Sequence, residues 1–407
     1  MYIHISTIEH YMNMRKYLPN YDDEFGSIVK HHRKKMNMTL EEGAKGICSV
    51  SYLSKVENNL IKPSEKYIAL LSERFQIKLT SNDSFEQENI LDNIIESMLF
   101  NLPIDAFKYD EDYKSKLNYF GYLVYHKMYQ EAKNILEDLI LYIKNFNDLE
   151  LQAFLYFVSL IFQIEGRLKD SFIALELIKK KNVHQKLDLL IQKEKLRIAL
   201  MMNHHPYIQL HYEKMIQKLV YHGYYHLVNE LKVYYFTYMN QFLNEAQLNK
   251  HLNDNLHISK ENKVYLKAHF YYIHMRYESA YELMKNYTIN DVRSYMLMLL
   301  ILNRLNKKDE LFKMINLSFE FTNHEKLLVT YLKTKYTVKQ EELLEFLRYD
   351  VLKMNDLPDE KLLIDFWYQE GIDLLKQAGY YKDATQLAQN VYYKLNDISL
   401  NIDWLLI

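Results

Sequence analysis

Two sets of side chains carry the recognisable chemistry of this sequence, and neither is a catalytic set. The first lies in S-V-S-Y-L-S-K-V-E at residues 49–57, where Ser49, Val50, Ser51, Tyr52 and Lys55 crowd one short segment. Hydroxyls donate and accept and an ammonium only donates, so this is hydrogen-bonding and anion-contact chemistry rather than proton transfer. The second set is spread along the later chain: Gln163, Asn203, Tyr235, Tyr238, Tyr272, Asn303 and Arg304. An asparagine can bond both the N–H and the C=O of an extended peptide. A tyrosine can stack on it or bond it, and an arginine can hold a carboxylate. Taken singly, each of these residues is better explained as an ordinary solvated residue; it is the set together that reads as a groove.

No phosphate-cradling glycine loop, H-E-x-x-H pair or nucleophile-base set occurs. The adjacent His31 and His32 cannot share a helix face, and His204 and His205 have no partners at ligand spacing. No catalytic residue, metal ligand or cofactor is expected.

The elements that must position these groups are helical. Only eight Gly and five Pro occur in 407 residues, too few for sheets joined by tight turns. Leu, Lys, Glu, Ala and Met are abundant, which favours an all-α chain. The length exceeds one ordinary domain unless much of it is a repeat array. Net charge is −2, so the whole chain is no generic polyanion binder, yet residues 25–80 hold ten Lys/Arg against five Glu. The single cysteine, Cys48, precludes an intramolecular disulfide and a cysteine zinc site, which fits a reducing cytoplasm. No apolar run is long enough to span a membrane. Residues 1–20 lack the order of a secretion signal and read as an N-terminal extension; Met12 and Met14 are alternative starts, so part of it is expected to have no role in the fold.

Within residues 21–78 a first helix is expected over Asp22–Lys35, with Phe25, Ile28 and Val29 inward and Asn37 as its stop. Thr39 and Glu42 form a capping box for a second helix ending near Lys45. A turn over Gly46–Ser49 leads to a third helix from Val50 to Asn58, with Leu53 and Val56 inward. Ser64 caps a fourth helix carrying Tyr67, Leu70, Leu71 and Phe75.

The order R-x-x-x-x-x-T-L-x-E followed by S-Y-L-S-K-V-E-N-N-x-x-K-P-S resembles the helix-turn-helix of the XRE group, the lambda-repressor-like regulators. The interval from Ala44 to Leu53 is one residue shorter than the usual pattern. The resemblance implies that the third helix enters the major groove of double-stranded DNA. Ser51, Tyr52 and Lys55 are then the leading base-edge contacts, with Ser49 and Val50 as lesser ones. Thr39, Asn59 and Lys62 suit phosphates. It also implies that Arg33 and Glu57 form a structural ion pair rather than a DNA contact.

The stretch Leu79–Asn89 is polar and turn-rich and marks a boundary, and Ile90–Leu102 reads as an amphipathic helix, giving a linker over 79–104. From 105 to 407 the chain repeats. K-M-Y-Q-E-A at 127–132, G-R-L-K-D-S at 166–171, M-R-Y-E-S-A at 275–280 and G-Y-Y-K-D-A at 379–384 share a turn, an aromatic or apolar residue and a small residue three positions on. Weaker members put Leu210, Ala246 and Leu311 at the last position. The intervals are 39, 39, 36, 34, 31 and 73, the period of a helix-pair repeat with seven or eight members. H-G-Y-Y-H-L-V at 222–228 also fits, which leaves the register between 205 and 255 open. The pattern resembles a degenerate tetratricopeptide repeat (TPR). That implies an all-α fold in which the reader is followed by a TPR-like right-handed α-solenoid whose first helices form a concave face.

An XRE-type reader joined to such repeats resembles the RRNPP peptide-pheromone regulators. The resemblance implies a cytoplasmic, homodimeric transcription regulator whose repeats sense a short signalling peptide, the quorum-sensing arrangement. The alternative is a DNA-binding regulator whose solenoid binds a protein partner. An enzyme of the family's phosphatase branch is disfavoured, because that branch carries a different N-terminal bundle.

Overall fold

Local capping decides where the first helices begin. In the computed structural model, which describes residues 4–15, 25–58, 60–77, 81–106, 113–179, 183–255, 258–317, 319–337, 340–351 and 358–400, Thr39 and Glu42 make the reciprocal capping box. The Glu42 N–H donates to Thr39 Oγ1 at 3.2 Å, and the Thr39 N–H donates to a Glu42 carboxylate oxygen at 2.7 Å. Five helices follow one another: α1 (Ile5–Arg15), α2 (Phe25–Lys35), α3 (Leu40–Ala44), α4 (Val50–Glu57) and α5 (Glu65–Arg74). Asn37, at φ 54°, ends α2, and Gly46, at φ 77°, turns the chain between α3 and α4. Phe25, Val29, Ala44, Leu53, Val56, Leu71, Phe75 and Ile77 form one small buried core.

Two expectations change here. The N-terminal extension has a structural role, because α1 packs against the short 3₁₀ turn Ile140–Asn145 and Ile8 is fully buried. The stretch expected to be turn-rich is helical from Ser81, the start of α6 (Ser81–Phe100). Tertiary contacts override its weak helix propensity. Asn118 donates to the backbone oxygen of Gln87 at 2.9 Å and to its side-chain oxygen at 2.8 Å. Leu91, Ile94, Ile95 and Leu99 bury the stripe that continues the helix.

The described residues after α6 form eight helix pairs. They are α7 (Tyr113–Tyr125) with α8 (Tyr129–Leu139), α9 (Asp148–Ile164) with α10 (Leu168–Glu176), and α11 (Gln185–Met201) with α12 (His205–Tyr221). Next come α13 (Tyr225–Met239) with α14 (Glu245–Asp254), α15 (Lys260–Ile273) with α16 (Tyr277–Met284), and α17 (Val292–Arg304) with α18 (Lys308–Ile315). The last two are α19 (Asn323–Thr337) with α20 (Gln340–Phe346), and α21 (Lys361–Phe366) extended by α22 (Ile372–Gln377) and paired with α23 (Tyr381–Leu400). The chain divides into two compact units, Met1–Ile161 with Ile173–Ile191, and Phe162–Phe172 with Gln192–Ile407. Among the described residues no helix is long and apolar enough to cross a membrane.

The repeat has a backbone cause. Lys127, Gly166, Asn203, Met275, Asn306 and Gly379 all adopt the left-handed conformation at the turn inside a pair. In each case the next N–H returns to a carbonyl five residues back, as in Met128 to Leu123 at 2.8 Å and His204 to Ala199 at 2.9 Å. This is the Schellman closure of a helix C-terminus. Five positions after each left-handed residue stands a residue packed between helices: Ala132, Ser171, Ile208, Ala280, Leu311 and Ala384, all at most 2 % exposed. The register of two members therefore shifts. Leu210 is 60 % exposed and Ala246 is exposed, whereas Ile208 and Leu248 are buried. His204 caps α12 and Asn244 caps α14 in a box with Gln247, and these caps set the helix starts. Gly223, at φ 76°, makes the same closure between α12 and α13, which is why residues 222–228 mimic the motif.

Candidate nucleic-acid interface and repeat-domain cavity

The α4 helix is held from behind and open in front. Ser49 stands at its N-cap, and its Oγ accepts the Tyr52 N–H at 3.1 Å, so that hydroxyl is engaged in capping. Leu53 and Val56 anchor the inner face, while Val50, Ser51 and Lys55 are exposed. Tyr52 is half-buried, with its ring 4.7 Å from that of Tyr67, and burial raises its pKa. Of the leading base-contact candidates, Ser51 and Lys55 therefore project outward and Tyr52 turns inward. Thr39 is exposed, but its hydroxyl donates to Glu42 at 2.9 Å. Lys62 is exposed on the turn after α4, and Asn59 lies outside the described residues.

Arg33 and Glu57 form the expected ion pair. Two guanidinium N–H groups donate to the two carboxylate oxygens at 2.6 and 2.8 Å, and a third donates to the Met38 carbonyl at 2.6 Å. The pair is buried and ties α2 to α4. Gly43 faces it closely: a Cβ there would lie 2.9 Å from Arg33 Cδ and 3.0 Å from Phe75 Cζ. At the far end of α4, Asn58 Oδ1 accepts from Lys30 at 3.3 Å and from Lys144 at 2.9 Å. Burial first, and the neighbouring Lys144 charge second, lower the Lys30 pKa to about 8. Asn58 thus joins the reader to the turn that follows α8.

The seven polar residues expected on one outward face do not share a surface. Gln163, Tyr238, Tyr272 and Asn303 are buried, because neighbouring helices bond to their polar atoms. Gln163 accepts from Arg197 and donates to Ser171. Tyr235 stacks on Tyr212 with ring centroids 3.7 Å apart. Tyr272, Asn303 and Arg304 belong to a cluster with Lys335, Tyr336 and Glu370, in which Lys335 donates to Asn303 at 2.9 Å and Arg304 donates to Gln369 at 2.6 Å. Asn203 serves as a left-handed turn residue, and its amide donates to Gln241 at 3.3 Å.

Asn203 and Tyr238 do meet, at a cavity of about 300 Å³ in the second unit. The first helices of successive pairs supply its wall: Tyr234 and Thr237 from α13, Tyr265 and His269 from α15, Arg293 from α17, Glu325 from α19, and Lys361 and Asp365 from α21, with Glu360 at the N-cap of α21. Its charged members escaped the sequence reading because they come from three different helices, between Arg293 and Asp365. The available signal was a charged residue near the start of an otherwise apolar helix, as at Arg293 in VRSYMLMLLILNR.

On α11, Glu194 accepts from Arg197 at 2.5 Å and lies 3.4 Å from Lys193, which also reaches Glu230 at 3.2 Å. Burial opposes ionisation of Glu194, but Arg197 and Lys193 prevail and hold its pKa at about 2. Glu360 is the opposite case. Burial, then the neighbouring Glu325 charge, push its carboxyl up to about 7 against the pull of Arg293 and Arg197. Burial lowers His269 to about 4, and Asn240 approaches its Nδ1 at 3.2 Å.

A pH dependence follows. Because folding raises the Glu360 pKa, its contribution is fully present below about pH 4.5 and is lost as pH rises through about 7. Glu360→Gln is therefore expected to be more stable than the native chain at pH 8, by up to about 3 kcal/mol. At pH 4.5 the two should coincide. Urea denaturation at both pH values checks this; an equal difference at both would contradict it.

Residues 29–81 match the family model for helix-turn-helix domains. Two solved structures resemble the chain over most of its length. One is the apo form of the quorum sensor NprR from B. thuringiensis, at 13 % identity, covering 76 % of this chain and 99 % of that chain, with a TM-score of 0.46. The other is Bacillus thuringiensis PlcR in complex with the peptide PapR7 and DNA, at 14 % identity, covering 79 % of this chain and 98 % of that chain, with a TM-score of 0.23. No curated protein is similar enough in sequence to match.

Proposed function

We propose that this chain is a sequence-specific DNA-binding regulator of the RRNPP kind, whose repeat domain senses a short signalling peptide. The observation that carries the first half is the helix-turn-helix match over 29–81 together with the exposed outer side of α4 at Val50, Ser51 and Lys55. In this reading α4 lies in the major groove, where Ser51 and Lys55 meet base edges and Lys62 meets a phosphate. A homodimer would present two such helices to two half-sites.

The second half is supported by the repeat domain's cavity, which is concave and combines apolar side chains and three tyrosines with several polar and charged groups, as ligand sites do. A peptide there can alter DNA binding only if it binds one arrangement of the repeats more tightly than another. The Lys144 to Asn58 bond offers a route, since a shift of the α8 turn moves a residue at the end of α4.

Short peptides encoded beside the gene are the natural ligands to test. At least one, added to the full chain on a duplex from its own upstream region, is expected to change affinity about tenfold, within the usual span of coupling between sites. If none does, and a pulldown instead returns one stoichiometric protein, the solenoid serves a protein partner.

A further inference from the structure

The cavity's charges do not balance. Lys361 is held by Asp365, and Arg197 by Glu194. Arg293 lies over the rings of Tyr234 and Tyr265, at 4.8 and 5.6 Å, with Asp291 at 3.6 Å. Glu325 is engaged on one side only, at the start of α19: its carboxylate accepts the Thr322 N–H at 2.7 Å and bonds the Thr322 hydroxyl. The Glu360 carboxylate makes no hydrogen bond or ion pair with any described residue, although it lines the same wall as Glu325. Once the paired groups are set aside, Glu360 remains, with Glu325 beside it engaged only at the α19 cap. Two neighbouring carboxylates partly withdrawn from water repel each other, and Glu360 has no protein donor.

We propose that the cavity seats a positively charged group of the effector peptide against Glu360 and Glu325, with Tyr234, Tyr238 and Tyr265 around it. This rests on the peptide-sensing reading and specifies the chemistry of the peptide. A guanidinium or ammonium supplies several N–H donors to both carboxylates and relieves their repulsion. Tyrosine faces attract the same group. The charge can come from a lysine or arginine side chain or from the free amino terminus. An acidic peptide group has only Arg293 to meet, and Asp291 already stands beside that guanidinium.

The test uses the full chain and hexapeptide pools, each with one position fixed as arginine, lysine, citrulline, glutamate or leucine and the rest randomised. The readout is the shift in melting temperature with peptide. The arginine or lysine pools are expected to bind about tenfold more tightly than the citrulline pool, which matches arginine in shape but not in charge. Acetylating the amino termini separates the sources. If a side chain supplies the charge, the arginine or lysine preference survives acetylation; if the terminus does, all free-amine pools bind alike and acetylation weakens every one of them. Glu360→Gln and Glu325→Gln should each erase the preference. Glu360→Gln should not lower the melting temperature without peptide, which shows that the fold is intact. Equal shifts from leucine or glutamate pools that acetylation leaves unchanged, or binding that is unaltered in both variants, would overturn the inference while leaving peptide sensing in place. Failure of every pool to bind would remove peptide sensing itself.

Discussion

Glu57→Ala is expected to unfold the reader while the repeats stay folded. The carboxylate takes two of the three hydrogen bonds made by the buried Arg33 guanidinium, at 2.6 and 2.8 Å. Without it a charge remains in the interior with only the Met38 carbonyl as acceptor. Breaking a buried pair by removing one partner costs about 3–5 kcal/mol, because the remaining charge is uncompensated. The reader's core has eight buried apolar side chains. A core of that size supplies little beyond the loss, since small domains are stable by only a few kcal/mol. Hydrogen exchange on the full chain should show protection lost over residues 25–77 and kept in the helix pairs. The double variant Arg33→Met with Glu57→Leu separates orphaned charge from lost geometry. It should regain most of the protection, because an apolar pair of similar volume leaves nothing unpaired. Unchanged protection in Glu57→Ala would mean that the pair does not hold α2 to α4.

The second large effect belongs to Glu194. Gln keeps its shape but removes the charge that Arg197 and Lys193 share, leaving Glu230 as the remaining carboxylate on Lys193. A loss of about 3–5 kcal/mol is expected at pH 7. Folding depresses the Glu194 pKa, so its contribution is present above about pH 4.5 and is lost as pH falls through about 2. The native chain should therefore weaken on acidification in that window, while Glu194→Gln loses nothing further from this site. Urea midpoints of native and variant chains at pH 7 and pH 3 measure both effects. Equal midpoints at pH 7 would show that Arg197 and Lys193 find other partners.

What the sequence disclosed was whatever depends on near neighbours. The Thr39–Glu42 box, the inward Leu53 and Val56, and the stops at Asn37 and Gly46 are all set by residues within one or two turns. Arg33 with Glu57 was legible only through the family pattern, since nothing local links residues 24 apart. The repeat was visible, but its marker was the wrong atom of the motif. The eye finds the small packed residue, whereas the left-handed residue five positions earlier fixes the turn. Where that residue is Asn203 rather than glycine, and where a cap at Asn244 displaces the helix start, the reading slipped by two residues. The polar α6 start failed for another reason: Asn118, far along the chain, holds Gln87 in the helix. The cavity was the least legible part. Glu325 and Glu360 meet Tyr234 and His269 only after five helix pairs have stacked, and no spacing in the sequence records that meeting. The groove set went partly astray because close stacking turned Gln163 and Asn303 into bonds between helices.

The central claim is that the outer side of α4 reads duplex DNA. Its most direct measurement is the affinity of the full chain for its own upstream duplex across a salt series, for the native chain and for Ser51→Ala with Lys55→Ala. Affinity should fall steeply as salt rises, since phosphate contacts release counterions. The double variant should lose at least about tenfold and discriminate less between that duplex and a scrambled one. Affinity that ignores salt, or a double variant with native affinity and native preference, would contradict the account.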